Sequence, residues 1–227
     1  MLARDTFRAG CASGCRTLSK VAGRDRGRLF VISAPSGAGK TSLVRALMAR
    51  EPGLRFSISC TTRKRRENEM HGRDYYFVSP DEFQHMAAAG EFLEHARVFD
   101  NHYATPRRQV EEALSAGQDL ILEIDWQGAA QVRAAMPECL SIFILPPSRA
   151  ELERRLRQRG TDTEQVIQRR LADAAADMTH WREFDFVVIN DDFDRATDEL
   201  ADVVNAAGSA ARSDRPGLAG FVTGLTG

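Results

Sequence analysis

A short apolar run, Leu29–Ser33, opens into Ala34-Pro-Ser-Gly37-Ala-Gly39-Lys40-Thr41 and then into a helical pattern over about residues 40–50. This strand–turn–helix order constrains the fold more than any other feature of the chain. It matches the phosphate-loop pattern G-x-x-x-x-G-K-[ST], with Ala34 in the first glycine position. Small residues let backbone N–H groups come close to phosphate oxygens, while Lys40 reaches the β- and γ-phosphates and the Thr41 hydroxyl meets Mg²⁺. The helix N-terminus adds a favourable dipole. Ser36, Gly37, Ala38, Gly39, Lys40, Thr41 and Ser42 are therefore expected to bind the phosphates of a nucleoside triphosphate.

Three further apolar runs, at residues 118–124, 140–145 and 184–189, read as buried strands. Helical patterns near 128–136 and over about 193–205 alternate with them. Continuous Val/Ile/Leu/Phe strands separated by helices imply an α/β fold with a parallel sheet covered on both faces. Ser148…Glu151 and Thr161…Glu164 read as capping boxes, and Ser79-Pro80 with Glu82 marks a helix over about 80–89. The second run ends in Glu123-Ile-Asp125. Residues two apart in a strand share a face, and carboxylates at the end of a strand beside a phosphate loop can hold Mg²⁺ or its waters. Thr41 and Glu123 are the expected metal ligands.

Charge narrows the partners. The chain has 31 Lys+Arg against 32 Asp+Glu. Residues 1–28 hold seven basic and two acidic side chains, so the remainder carries 24 basic against 30 acidic, a net −6. An acidic body is not a nucleic-acid binder by bulk charge, and any anion it holds must be held by a few placed arginines. No apolar run approaches the roughly 18–20 residues that span a bilayer, so no membrane partner is expected. The four cysteines (Cys11, Cys15, Cys60, Cys139) read as reduced thiols, which suits a cytoplasmic protein.

A phosphate loop is compatible with a switch GTPase, an ATP-driven machine or a small-molecule kinase. A GTPase should carry Asn-Lys-x-Asp after a strand, whereas here Asn190-Asp191-Asp192 lacks the lysine. A nucleotide kinase needs a second anion site, and residues 59–77 offer one. Arg63 and Arg66 lie three apart, ahead of a turn at Gly72 and the aromatic Tyr75-Tyr76-Phe77. Arginine forks bind phosphate bidentately and keep their charge at any working pH.

Several segments resemble guanylate kinase in order along residues 28–205. They are 33–43, the T-R-x-x-R-x-x-E-x-x-G-x-x-Y-x-F pattern of 62–77, Glu91-Phe-Leu-Glu94 and Glu123-Ile-Asp125-Trp-Gln-Gly128. Leu145-Pro-Pro-Ser148, Arg159-Gly-Thr161 and residues 188–192 continue the series. The resemblance implies Mg²⁺-dependent transfer of the ATP γ-phosphoryl group to GMP. It implies that Arg63, Arg66, Tyr75 and Tyr103 hold the GMP phosphate, and that Ser59, Glu94, Thr105 and Asp125 lie on the guanine side. Lys40 resembles the catalytic loop lysine, and Arg155, Arg159 and Arg170 resemble arginines that close on the phosphates. Asn190 resembles the residue near the adenine of ATP. The other readings are a guanylate-kinase-like interaction domain that no longer catalyses, and a kinase for another nucleoside monophosphate.

The expected organisation is a basic leader without structure at 1–27, a P-loop core from 28–57, 105–147 and 173–205, and a GMP-binding α+β module at 58–104. A helical lid at 148–172 and a flexible tail at 206–227 complete it. The sequence leaves the oligomeric state open.

Overall fold

A computed structural model describes residues 26–98, 100–158, 163–205 and 208–226. In chain order its elements are β1 (Leu29–Ser33), α1 (Lys40–Arg50), β2 (Leu54–Phe56), β3 (Cys60–Thr61), β4 (Tyr76–Phe77), α2 (Pro80–Ala88) and β5 (Phe92–Val98). Then follow β6 (Asn101–Pro106), α3 (Arg107–Ser115), β7 (Asp119–Glu123), α4 (Trp126–Ala135), β8 (Leu140–Leu145), α5 (Arg149–Gln158) and α6 (Glu164–Met178). A 3₁₀ turn (Thr179–Glu183), β9 (Phe186–Ile189), α7 (Phe193–Val204), a second 3₁₀ turn (Gly208–Ala211) and α8 (Leu218–Thr226) complete the series.

Five strands form a wholly parallel sheet in the order β2-β7-β1-β8-β9. Alternation along each strand divides its side chains between two cores. Leu29, Val31, Leu120 and Leu122 face one cluster with residues of α3, α4, α5, α6 and α8. Phe30, Ile32 and Ile121 face the other, with residues of α1 and α7. Burial on both faces is why these strands read as unbroken apolar runs. Strand β2 escapes a reading by pattern because it is three residues long and two of them are exposed. No helix among the described residues is long and apolar enough to cross a membrane. Cys60 and Cys139 are buried and form no disulfide among the described residues, while Cys11 and Cys15 lie outside them.

A second, four-stranded sheet runs β4-β3-β6-β5, with α2 packed on it through Phe83. The register between β5 and β6 shifts between Phe92 and Glu94. A bulge of this kind re-aims side chains. Phe92, Leu93 and Glu94 are all buried in succession, Phe92 in this sheet's own cluster and Leu93 in the main core. Helix α2 starts at Pro80 as expected, and Ser79 and Glu82 close a capping box on it. At α5, Glu151 N donates to Ser148 Oγ (3.1 Å), one arm of the expected box. Thr161 lies outside the described residues, and Thr163 stands at the N-cap of α6.

Four expected boundaries change. β6 continues through Thr105 to Pro106, so Thr105 belongs to the second sheet; a proline cannot extend the ladder further, and α3 starts immediately after it. The lid boundary at 172 falls inside the single helix α6, and Leu152, Leu156, Ile167 and Leu171 of α5 and α6 are buried in the main core. The tail is not a loose appendage. Leu218, Val222 and Leu225 recur at helical spacing and pack into the core, with α8 against α6. Glycines at 220 and 224 mask that helix in sequence, and tertiary packing overrides the weak propensity. Ahead of it, Arg215 Nη1 donates to the Val187 carbonyl (2.6 Å). At the other end, Gly27 N donates to the Leu114 carbonyl (2.8 Å), so the last part of the expected leader is tied to the core; residues 1–25 lie outside the described range.

Candidate active site

Strand β1 delivers the phosphate loop at its C-terminal end, where crevices of open α/β sheets lie. Gly37 and Gly39 adopt φ of 93° and 95°, a left-handed conformation that side-chain-bearing residues rarely take. A Cβ on Gly39 would also stand 2.3 Å from Asn190 Nδ2. Asn190 is buried and donates that amide to the Ala38 carbonyl (2.7 Å), while Arg155 donates to the Asn190 carbonyl (3.0 Å) and to Ala38 O (3.3 Å). Arg155 is in turn held by Glu151 (2.7 Å). The back of the loop is thus stapled to β9 and α5.

At the front, Lys40 Nζ donates to the Ile124 carbonyl (2.8 Å). Burial lowers its pKa, opposed by the carboxylates of Glu123, Asp125, Asp177 and Glu94 around it. Thr41 Oγ1 donates to Glu123, so the two expected metal ligands are adjacent. A hydroxyl and a carboxylate are hard oxygen donors, and Mg²⁺ takes one or two such groups together with phosphate oxygens and water. The pair fits that ion.

Two cavities flank Lys40. One, of about 320 Å³, is lined by the loop residues Ser36, Gly37, Gly39, Lys40, Thr41 and Ser42, and by Arg170, Asp173 and Asp177. Of the expected loop contacts only Ala38 is missing from that wall: its side chain is buried and its carbonyl serves the staple. The other cavity, of about 260 Å³, is lined among others by Ser59, Tyr75, Glu94 and Tyr103. Lys40, Val98 and Asp125 belong to both. A third depression holds Asn190 with Arg154, Arg155 and Phe193.

Glu94 is 4% exposed and faces the second cavity. Its register partner Thr105 donates from Oγ1 to Glu94 Oε1 (2.6 Å). Burial raises the Glu94 pKa to about 7, helped by Asp125 and opposed by Thr105 and Lys40. Asp125 caps α4, its Oδ1 accepting from Gly128 N (2.8 Å).

The arginine segment is arranged differently. Arg63 is paired bidentately with Glu69 (2.7 and 3.0 Å) and lies over the Tyr75 and Phe77 rings. Pairing with Arg63 holds the Glu69 pKa down to about 2, with the Arg66 N–H adding to it. The Arg66 side chain is exposed and its N–H also binds Glu69 (2.9 Å). Tyr75 and Tyr103 meet edge to face, 6.1 Å apart. The structure therefore brings Lys40, Ser59, Tyr75, Glu94, Tyr103 and Asp125 around one cavity, with Thr105 behind Glu94, but leaves both Arg63 and Arg66 outside its wall. Arg159 lies outside the described residues.

Sequence reasoning missed a cluster behind the phosphate cavity. Trp126 Nε1 donates to Asp177 (3.0 Å), and the His180 ring stacks on the indole at 3.5 Å with a 9° interplanar angle. Burial raises the Asp177 pKa to about 6. Asp173 and Asp177 lie four apart on α6 among ordinary surface charges, and nothing local distinguishes them.

A family model described as guanylate kinase matches residues 26–207. A guanylate kinase of Alkalilimnicola ehrlichii is 53% identical over 201 residues, covering 88% of this chain and 99% of that protein. One from Escherichia coli K12 is 51% identical over 183 residues, covering 80% and 88%. Among solved structures, a guanylate kinase from Anaplasma phagocytophilum superposes with a TM-score of 0.67 at 35% identity, covering 82% of this chain and 88% of that one. A phosphate loop sharing its lysine with a cavity walled by a buried carboxylate agrees with those likenesses, and the chain belongs to the guanylate kinase family.

Proposed function

We propose that the chain transfers the γ-phosphoryl group of ATP to GMP, giving ADP and GDP, with one nucleotide in each of the two cavities beside Lys40. The observation that carries this reading is the shared wall. Lys40 lines both the phosphate-loop cavity and the cavity of Glu94, so donor and acceptor phosphates would meet at one cation. Phosphoryl transfer asks the protein mainly for alignment and charge neutralisation, and no general base is invoked.

In this reading ATP lies along residues 36–42, with its adenine toward Asn190 in the third depression. Lys40 stabilises charge on the transferring group. Mg²⁺, held by Thr41 and Glu123, would neutralise phosphate charge there. GMP lies in the second cavity. Guanine offers N1–H and an exocyclic NH₂ as neighbouring donors, and ionised Glu94 accepts from them. Adenine offers an acceptor at N1 and would leave the carboxylate unpaired, which makes discrimination of roughly 10⁴-fold attainable. Ser59, Thr105 and Asp125 complete the guanine side. Tyr75 and Tyr103 line the path to its phosphate, where Arg63 and Arg66 turn from Glu69 to bind it. Arg170, which lines the phosphate cavity, would act there with Arg155 behind the loop and with Arg159, and exclusion of water from the filled site would keep ATP from being hydrolysed.

Coupled measurement of ADP release with GMP, AMP, UMP and dTMP tests the proposal. GMP should be the preferred acceptor by orders of magnitude. Faster turnover with AMP would refute it.

A further inference from the structure

The first turn of α4 carries a glycine, Gly128, whose reason is not conformational. It sits in a regular helix, it is buried, and glycine is a poorer helix former than alanine. A Cβ built on it would stand 2.5 Å from Glu94 Oε2, 3.1 Å from Glu94 Cδ and 3.3 Å from Asp125 Oδ1. Its N–H meanwhile donates to Asp125 Oδ1 at 2.8 Å. Two of the three carboxylates that line the second cavity, Glu94 and Asp125, thus come to rest on this one residue.

We infer that Gly128 is a specificity-determining residue: the absence of its side chain is what lets the Glu94 carboxylate sit where it reads guanine. The inference rests on the assignment of GMP to that cavity. The helix cannot simply back away from a new methyl group. Gln131, one turn on, grips the backbone of β5 beside Glu94, donating to the His95 carbonyl (2.8 Å) and accepting from His95 N (3.1 Å). The Glu94 backbone is fixed by its ladder to β6, and Oε1 is held by Thr105. What can yield is the free end of the Glu94 side chain, so a methyl group turns Oε2 aside while the fold survives. One of the two acceptors for the guanine donors is then lost.

The test is Gly128→Ala in the full chain, assayed with GMP and with inosine monophosphate, which keeps N1–H and lacks the 2-amino group. KM for GMP should rise by about tenfold, the order expected when a hydrogen bond to a charged group is lost. KM for ATP should hold, and the preference for GMP over inosine monophosphate should shrink by a similar factor. An unchanged preference overturns the inference, as does a parallel rise in both KM values with a lowered Tm, which would make Gly128 a packing residue. Glu94→Gln alone separates the two levels. If it leaves the preference for GMP untouched, the assignment of the cavity fails. If it alters that preference and Gly128→Ala does not, only the role of Gly128 fails.

Discussion

Residues 36–42, and Arg63 and Arg66 of the segment 63–70, are expected to hold phosphate, and the two regions are kept in place by different means. The loop 36–42 is fixed from behind by Asn190 and Arg155 and from in front by Lys40 on the Ile124 carbonyl, all anchored on the parallel core. The segment 63–70 is mostly exposed, and its principal cation is neutralised by a carboxylate from the same segment. One loop is braced on both sides, whereas the other segment holds its arginine in an internal ion pair. Under the proposed function, the contrast teaches that the two substrates would be met by different kinds of order: a rigid cradle for the triphosphate, and a rearranging clamp for the monophosphate.

Substitutions can break or sharpen that contrast. Lys40→Ala should have the largest effect, lowering kcat by about a hundred-fold or more, because it removes charge from the transferring group; an unchanged kcat would remove Lys40 from the mechanism. Glu94→Gln should raise KM for GMP by roughly thirty-fold and relax the preference for GMP over AMP, while KM for ATP stays put. Asn190→Ala should act on the rigid side alone, raising KM for ATP by about tenfold as the loop loses its brace, with KM for GMP steady. An equal rise in both would show the two sites to be less separate than the geometry suggests. Glu69→Gln should have the smallest effect, lowering KM for GMP about threefold by releasing Arg63 from its ion pair. A rise in that KM would instead show that Glu69 aims Arg63 at the substrate phosphate.

Acidity adds a second axis. Burial lifts the Glu94 pKa above its ordinary 4.5 to about 7. The sign follows: the free protein favours protonated Glu94, and its stability falls as pH rises from about 4.5 to about 7, where the buried carboxyl must ionise. Glu69, depressed to about 2, acts oppositely, and the stability it contributes is lost only as pH falls from about 4.5 toward 2. Guanine needs the ionised form of Glu94. kcat/KM for GMP should therefore drop below pH 7 with a dependence that Glu94→Gln removes.

The rigid side was far more legible in the sequence than the other. A phosphate loop is a contiguous chemical pattern, and strands buried on both faces announce themselves as apolar runs. Glu94 and Thr105 emerged from likeness to a family; their pairing arises from strand register across a bulge, which no local spacing encodes. Trp126, Asp177 and His180 escaped notice because a stacked ring and a hydrogen bond 51 residues apart in sequence leave no periodic trace. α8 was hidden by its glycines, and β2 by its length. Arg63 was identified without Glu69 as its partner, although Glu69 stands in the same motif. A salt bridge that occupies a binding arginine is a property of the folded segment.

Calorimetry of GMP binding between pH 6 and 7, in buffers of different ionisation enthalpy, tests the central claim most directly, namely that a buried Glu94 reads guanine as a carboxylate. The native chain should release more protons on binding GMP than Glu94→Gln does, by a fraction of a proton that grows as pH falls from about 7. Equal proton release by the two proteins, with equal affinity for GMP, would contradict it.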